Sequence, residues 1–312
     1  MKLIIRRDNM KKYLIAAGFI LASCESVVTQ SGQPNEDFPN KIRQGAETSG
    51  KFRKTPTPWF VEVENSAPDK IINGPPAAVG EIPWQVIVQR TDIGQIDGSW
   101  CGGSILDERT ILTAAHCLFP PLEAKLTTSQ LKVGYGAVKI RNMTWANISD
   151  IRDHEDYDEF LMKSDIAILI LETPIVFSET ASAISLPFEG ALPDDGDELM
   201  VSGFGVTESG YGSNFLRKTD VNYISNEDCN FVTYYDGEVG GDQFCAGYSE
   251  PIQTPTDSCQ GDSGGPLMHK ETGSLAGIVS WGKGCALPDK PGVYTQVSNY
   301  IEWIQSKRYA DN

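Results

Sequence analysis

From residue 71 onward, short runs of β-branched and aromatic residues alternate with clusters of Gly, Asp and Asn. The clearest runs are Trp84–Gln89, Ile166–Leu171, Leu199–Gly203, Leu275–Trp281 and Gly292–Val297. Each has the length of a strand, and turn-forming residues bound it. The first two are apolar enough to be buried. No stretch carries the i, i+3, i+4 spacing of a long amphipathic helix. The one helical pattern is Asn299 to Gln305, where Tyr300, Trp303 and Ile304 share a face. The spacing therefore predicts an all-β body, either a sandwich or barrels, with a short C-terminal helix.

The first seventy residues follow a different pattern. Lys2, Arg6, Arg7, Lys11 and Lys12 make a basic start, and Tyr13 to Ala22 is a short apolar run. Such a run is too short for a helix that spans a bilayer, which needs about 20 residues. A basic region, an apolar region and small residues in that order predict an export signal over residues 1–23. The run ends Leu21-Ala22-Ser23-Cys24. This resembles the bacterial lipobox, in which the cysteine thiol is lipidated and becomes the new first residue. Residues 24–70 are rich in Ser, Pro, Asn, Gln, Glu and Lys and lack sustained periodicity, as expected of a mostly disordered tether or pro-segment. Trp59-Phe60-Val61-Glu62-Val63 is the exception, a short patch able to dock locally.

Charge sharpens this division. The 312-residue chain has a net charge of −16, and residues 71–312 hold 15 Lys+Arg against 34 Asp+Glu. So acidic a body repels nucleic-acid phosphates, which excludes a nucleic-acid binder. Cysteine use points to an oxidising compartment. Of seven cysteines, Cys24 stands alone in the leader, and Cys101, Cys117, Cys229, Cys245, Cys259 and Cys285 lie in the body. No pair has metal-ligand spacing, so three disulfides are expected, with fifteen pairings open. No metal or cofactor motif is present. Asp153, Glu155, Asp156, Asp158 and Glu159 surround His154 with no calcium-loop spacing, and the segment is expected to be a solvated acidic loop.

The chemistry lies in three short stretches. They are Leu112-Thr113-Ala114-Ala115-His116-Cys117, Ser164-Asp165-Ile166-Ala167-Ile168-Leu169, and Asp257-Ser258-Cys259-Gln260-Gly261-Asp262-Ser263-Gly264-Gly265-Pro266. In that order and at these spacings the chain resembles the chymotrypsin/trypsin family of serine proteases, from about Ile71 to about Lys307. The resemblance implies two six-stranded antiparallel β-barrels with the active site between them. It makes Ser263 the nucleophile, His116 its base, and Asp165 the carboxylate that fixes the imidazole. Gly261 and Ser263 would supply the N–H donors of an oxyanion hole, where glycine allows close approach. The implied disulfides are Cys101–Cys117, Cys229–Cys245 and Cys259–Cys285, a small set that fits a bacterial member. Gly261-x-Ser263-x-Gly265 also fits the α/β-hydrolase nucleophile elbow, but that fold runs Ser, Asp, His and needs helices. His154 and His269 carry no such motif. A non-catalytic surface-binding module on a protease fold is the alternative; such proteins usually lose a triad member, and here all three are present.

By the same resemblance Asp257 lies at the base of the primary pocket, with Ser280, Trp281, Gly282 and Gly292 along its walls. A buried carboxylate there seeks a cation, which implies cleavage after Lys or Arg. Lys70-Ile71-Ile72-Asn73-Gly74 resembles the family's activation site, with Asn73 where glycine is more usual. Cutting after Lys70 would free the Ile71 ammonium to pair with Asp262. The expected protein is an exported zymogen, held on the membrane of the periplasm or cell surface by Cys24 and released on activation. Its expected partners are Lys/Arg-bearing protein or peptide substrates and proteinaceous inhibitors.

Overall fold

The computed structural model of the chain describes residues 74–93, 99–207, 210–231, 234–248, 257–287 and 289–308. Cys24, Trp59–Val63, Lys70, Ile71 and both leader segments lie outside the described residues. The described strands close into two barrels. The first contains β1 (Gln85–Arg90), β2 (Cys101–Ile105), β3 (Thr110–Thr113), β4 (Leu131–Tyr135), β5 (Thr144–Asp153) and β6 (Ala167–Leu171). The second contains β7 (Glu198–Gly203), β8 (Arg217–Ile224), β9 (Gln243–Gly247), β10 (Pro266–His269), β11 (Leu275–Trp281) and β12 (Gly292–Gln296). Their neighbour orders are β1-β2-β3-β6-β5-β4 and β10-β11-β12-β9-β8-β7. All pairings are antiparallel, as expected of barrels built from short connections.

Burial explains which runs formed strands. In β6 the run Ala167-Ile168-Leu169-Ile170-Leu171 is almost wholly buried. In β5 only Ala146 and Ile148 are buried and their neighbours face out, so its apolar signal is thin. In β2, Gly103 packs where a Cβ would come within 2.9 Å of Val86 and 3.0 Å of Ile111. Each fully buried Ile or Leu contributes about 1.5–3 kcal/mol. Val86, Ile105, Ile111, Leu112, Val133 and Ile168 centre the first core; Leu199, Val201, Val221, Phe244, Leu267 and Tyr294 centre the second.

The chain leaves the second barrel through a 3₁₀ turn (Val297–Tyr300) and ends in α2 (Ile301–Arg308). A single-turn α1 (Asn226–Cys229), capped by the Ser225 hydroxyl, precedes β9. Ile301 and Ile304 of α2 join the first barrel's core, and Arg308 pairs with Asp107 there. The expected helical face is thus present, with Ile301 on it as well. The acidic segment after β5 is exposed at Glu155, Asp156 and Glu159, as expected from its composition, but His154 and Glu155 are anchored to the C-terminal turn and helix. His154 packs against the rings of Tyr300 and Trp303, at 5.2 and 5.0 Å between centroids. Glu155 accepts from Trp303 Nε1 at 2.9 Å and pairs with Lys307. Aromatic surface on α2 gives this charged segment something to pack on.

Candidate active site

The β3–β6 pairing sets Thr113 opposite Ala167. Both strands therefore lead to one end of the first barrel, where His116 follows β3 and Asp165 precedes β6. His116 sits in a 3₁₀ turn, Ala115–Leu118. Its backbone N–H donates to Asp165 Oδ1 at 2.8 Å, and its ring Nδ1 lies 2.8 Å from Asp165 Oδ2. That contact favours the proton on Nδ1 and leaves Nε2 as a base. Asp165 is fully buried, and Ser280 Oγ donates to its Oδ2 at 2.5 Å. Burial pushes the Asp165 carboxyl up, but the His116 charge and the hydrogen bonds outweigh it and hold it below the ordinary range. Burial pushes the His116 imidazole down, and the Asp165 carboxylate overrides this to leave it above its ordinary value.

Ser263 lies on the loop before β10, and both barrels hold its backbone. Its carbonyl accepts from Gly102 N of β2 at 2.7 Å, and the next N–H, of Gly264, donates to Val279 O of β11 at 2.7 Å. Gly264 has φ +78°, and a Cβ there would lie 2.2 Å from Thr113 Oγ1. Only glycine fits, both in conformation and in space. Cys117 Sγ lies 3.7 Å from Ser263 O and 3.9 Å from His116 Nε2, so serine loop and imidazole share one neighbour. No hydrogen bond joins the Ser263 hydroxyl to the imidazole, a contact often long in a free enzyme. Gly261 has φ +91°, and among the described residues no backbone acceptor meets the N–H of Gly261 or of Ser263.

Asp262 is fully buried beneath this loop and accepts from Gly205 N at 2.8 Å and Cys259 N at 2.9 Å. A Cβ on Gly203 would lie 2.0 Å from its Oδ1, and one on Gly205 would lie 2.6 Å from its carboxyl carbon. Burial pushes its pKa up to about 6. Asp257 is 3% exposed and accepts from Ser258 N at 2.7 Å and Ala286 N at 3.1 Å. Among the described residues no cation pairs with it, and burial pushes its pKa up to about 7. Gly292 faces it: a Cβ there would come within 3.2 Å of Asp257 Oδ1. Across from Gly292, a Cβ on Gly282 would lie 4.0 Å from the Gly292 Cα. The two glycines leave open the space that side chains would fill. Trp281 packs edge-on against Tyr235, whose hydroxyl donates to Pro291 O at 2.6 Å.

Three disulfides brace these parts. Cys101–Cys117 ties β2 to the His116 turn, Cys229–Cys245 ties α1 to β9, and Cys259–Cys285 ties the serine loop to the segment after Trp281. His269 lies away from the serine despite its closeness in sequence, bonded to Thr272 Oγ1 and Asp197. Neither the Ser280–Asp165 bond nor the packing of Tyr235 is legible in the amino-acid pattern. A serine inside β11 and a tyrosine in the loop before β9 carry no motif that marks their partners.

Two barrels, a carboxylate–imidazole pair at their junction and a glycine-flanked serine define a serine endopeptidase. The trypsin family model matches residues 71–304. Trypsin-1 of Astacus astacus is 36% identical over 244 residues, covering 76% of this chain and 99% of its own length. Trypsin 5G1 of Aedes aegypti is 35% identical, covering 84% and 92%. Transmembrane protease serine 11C of Mus musculus is 34% identical over 76% of this chain and 53% of its own. The chain belongs to the trypsin family of serine proteases.

Proposed function

We propose that this protease hydrolyses peptide bonds after Lys or Arg, using Ser263, His116 and Asp165 as its triad. In the family's mechanism, His116 Nε2 takes the Ser263 hydroxyl proton as Oγ attacks the scissile carbonyl. The tetrahedral oxyanion is met by the N–H groups of Gly261 and Ser263; losing one such donor costs about 3–4 kcal/mol of transition-state stabilisation. The imidazolium, stabilised by Asp165, then protonates the leaving amine. The acyl-enzyme is cleared by water through the same base. The observation that carries the basic specificity is Asp257: a buried carboxylate that no cation among the described residues pairs, below two facing glycines, which Ser280 and Trp281 adjoin. Cleavage-site profiling of the activated enzyme tests it. Cuts after Lys and Arg are expected; cuts centred on apolar residues would refute it.

The pH dependence separates the two groups. His116 must be neutral to act, and Asp165 raises its pKa. Activity is therefore lost as pH falls through a value above 6.5. A small uncharged phosphonylating reagent, which reads only Ser263 and its base, should show a one-proton acid limb there. An arginyl substrate also needs Asp257 ionised, at about pH 7. Its kcat/KM should fall more steeply, and equal slopes for the two probes would argue against Asp257 binding the cation.

Residues 1–23 are proposed as a lipoprotein-type export signal, Cys24 as the lipidated residue, residues 24–70 as a tether and pro-segment, and 71–312 as the peptidase. Cleavage after Lys70 lets the Ile71 ammonium pair with Asp262, ordering the oxyanion loop. Breaking one partner of such a buried pair costs about 3–5 kcal/mol. Lys70 suits the enzyme's own pocket, so precursor carrying Ser263→Ala, purified free of other proteases, should keep its pro-segment. Loss of that segment would show that activation is not autocatalytic. Residues 25–70 hold no cysteine to bind the two parts, so active enzyme should appear in the soluble fraction. Activity found only with membranes would count against release. No helix among the described residues is long and apolar enough to cross a membrane.

A further inference from the structure

Asp165 belongs to the first barrel, yet the loop before it is held by the second. Met162 and Ser164 have φ of +51° and +52°, left-handed values that side-chain-bearing residues rarely adopt unless their surroundings impose them. The Ile166 N–H donates to Ser164 O at 2.8 Å, closing a tight turn with Asp165 at its centre. Lys163 O and Ile166 O accept from Asp158 N and His154 N of the first barrel's own segment, at 3.0 and 3.1 Å, but three other polar groups, Met162 O, Ser164 N and Asp165 O, meet the second barrel or the segment leading into it. Asp242 Oδ2, just before β9, accepts from Ser164 N at 2.8 Å and from Tyr300 OH at 2.6 Å. The Gln243 side-chain amide donates to Met162 O at 2.7 Å, and its own oxygen accepts from Gly240 N at 3.0 Å. Thr295 Oγ1 of β12 donates to Asp165 O at 2.9 Å. Asp242 is in turn fixed through its carbonyl, which accepts from Gln296 N at 2.9 Å.

We propose that Asp242, supported by Tyr300 and Gln243, is a positioning residue: it clamps the strained turn so that Asp165 keeps both oxygens on His116. The inference rests on the triad assigned above. Asp242 touches neither His116 nor Ser263 and acts only through the Ser164 peptide. The strain at Met162 and Ser164 is the physical reason a clamp is needed. Without it the turn relaxes to right-handed or extended values, which rotates the peptide that carries Asp165. His154 is the titratable ring beside Tyr300, with Glu155 and Lys307 next to it. Restored activity on a neutral replacement would therefore separate the hydrogen bond from its charge.

Activated Asp242→Ala enzyme is expected to lose kcat by about 10- to 100-fold with KM little changed, the scale of a small misplacement of a catalytic group. The phosphonylation acid limb should also move down toward pH 6.5, because Asp165 no longer raises the imidazole. Asp242→Asn keeps an oxygen able to accept both hydrogen bonds and should restore most of the lost kcat and the limb. Wild-type kcat and limb in Asp242→Ala would overturn the proposal, and so would a kcat loss with an unmoved limb that Asn fails to rescue. Should Asp242→Ala fold poorly, Tyr300→Phe keeps the ring and removes one donor; it should shift the limb in the same direction, and an unmoved limb there would overturn the clamp. Wild-type enzyme that the reagent leaves unmodified at Ser263 would instead overturn the triad reading.

Discussion

Activated enzyme carrying Ser263→Ala is expected to lose about 10⁶-fold in kcat, the scale seen when a triad nucleophile is removed. Its KM for a small arginyl substrate should stay close to wild type, since the hydroxyl adds little to ground-state binding. The fold should hold. Gly102 and Gly264 fix the Ser263 backbone through main-chain bonds that alanine keeps, and such a change falls within about ±0.5 kcal/mol. A residual rate of about 10³–10⁴ over the uncatalysed reaction should survive, because two backbone donors still stabilise an oxyanion that water can form. His116→Ala should cost a similar amount, and the double variant little more, since the pair acts as a unit. The checks are single-turnover kinetics together with phosphonylation, which Ser263→Ala should escape entirely. Substantial turnover by that variant would mean that another nucleophile does the work and that Ser263 is a turn residue.

The legibility of this molecule differed between its parts for physical reasons. β6 is buried along its length, so Ile166–Leu171 announced itself as a strand. β5 exposes most of its side chains and β2 is glycine-rich, so neither produced a clear apolar run. Barrel closure followed from the resemblance, because strand pairing leaves no trace in a period-2 pattern. Two of the motif residues do meet: His116 and Asp165 are 49 positions apart and share two hydrogen bonds. What supports them was not legible. Asp242, Thr295 and Ser280 reach Asp165 or its turn across the barrel interface; nothing in their local sequence marks Asp242 or Thr295, and Ser280 is marked only as a pocket wall. The acidic run around His154 is exposed at Glu155, Asp156 and Glu159, as its composition implies, but composition cannot reveal that Tyr300 and Trp303 return from the far end of the chain to pack on His154.

Asp257→Ser is expected to lower kcat/KM on arginyl and lysyl substrates by about 10²–10⁴-fold, the cost of stranding one partner of a buried ion pair at about 3–5 kcal/mol. Small uncharged reagents at Ser263 should react as before, because Asp257 reaches that residue only through the intervening loop. The same variant carries an opposite signature in stability. Burial pushes the Asp257 pKa up to about 7, against 3.8 for the ordinary side chain. As pH rises from about 4 to 7, the unfolded chain gives up this proton before the folded one does. Folding therefore loses stability over that window, by about 4 kcal/mol at one pKa unit per 1.36 kcal/mol. Serine removes the titration but leaves the N–H groups of Ser258 and Ala286 without their carboxylate, a cost that does not depend on pH. The melting temperature of Asp257→Ser relative to wild type should thus climb between about pH 4 and 7 and level off above that. Thermal melts across that range check it. A flat difference would mean that Asp257 is already ionised or solvated in the folded enzyme, and then the affinity for a cationic side chain could not come from an unpaired buried charge.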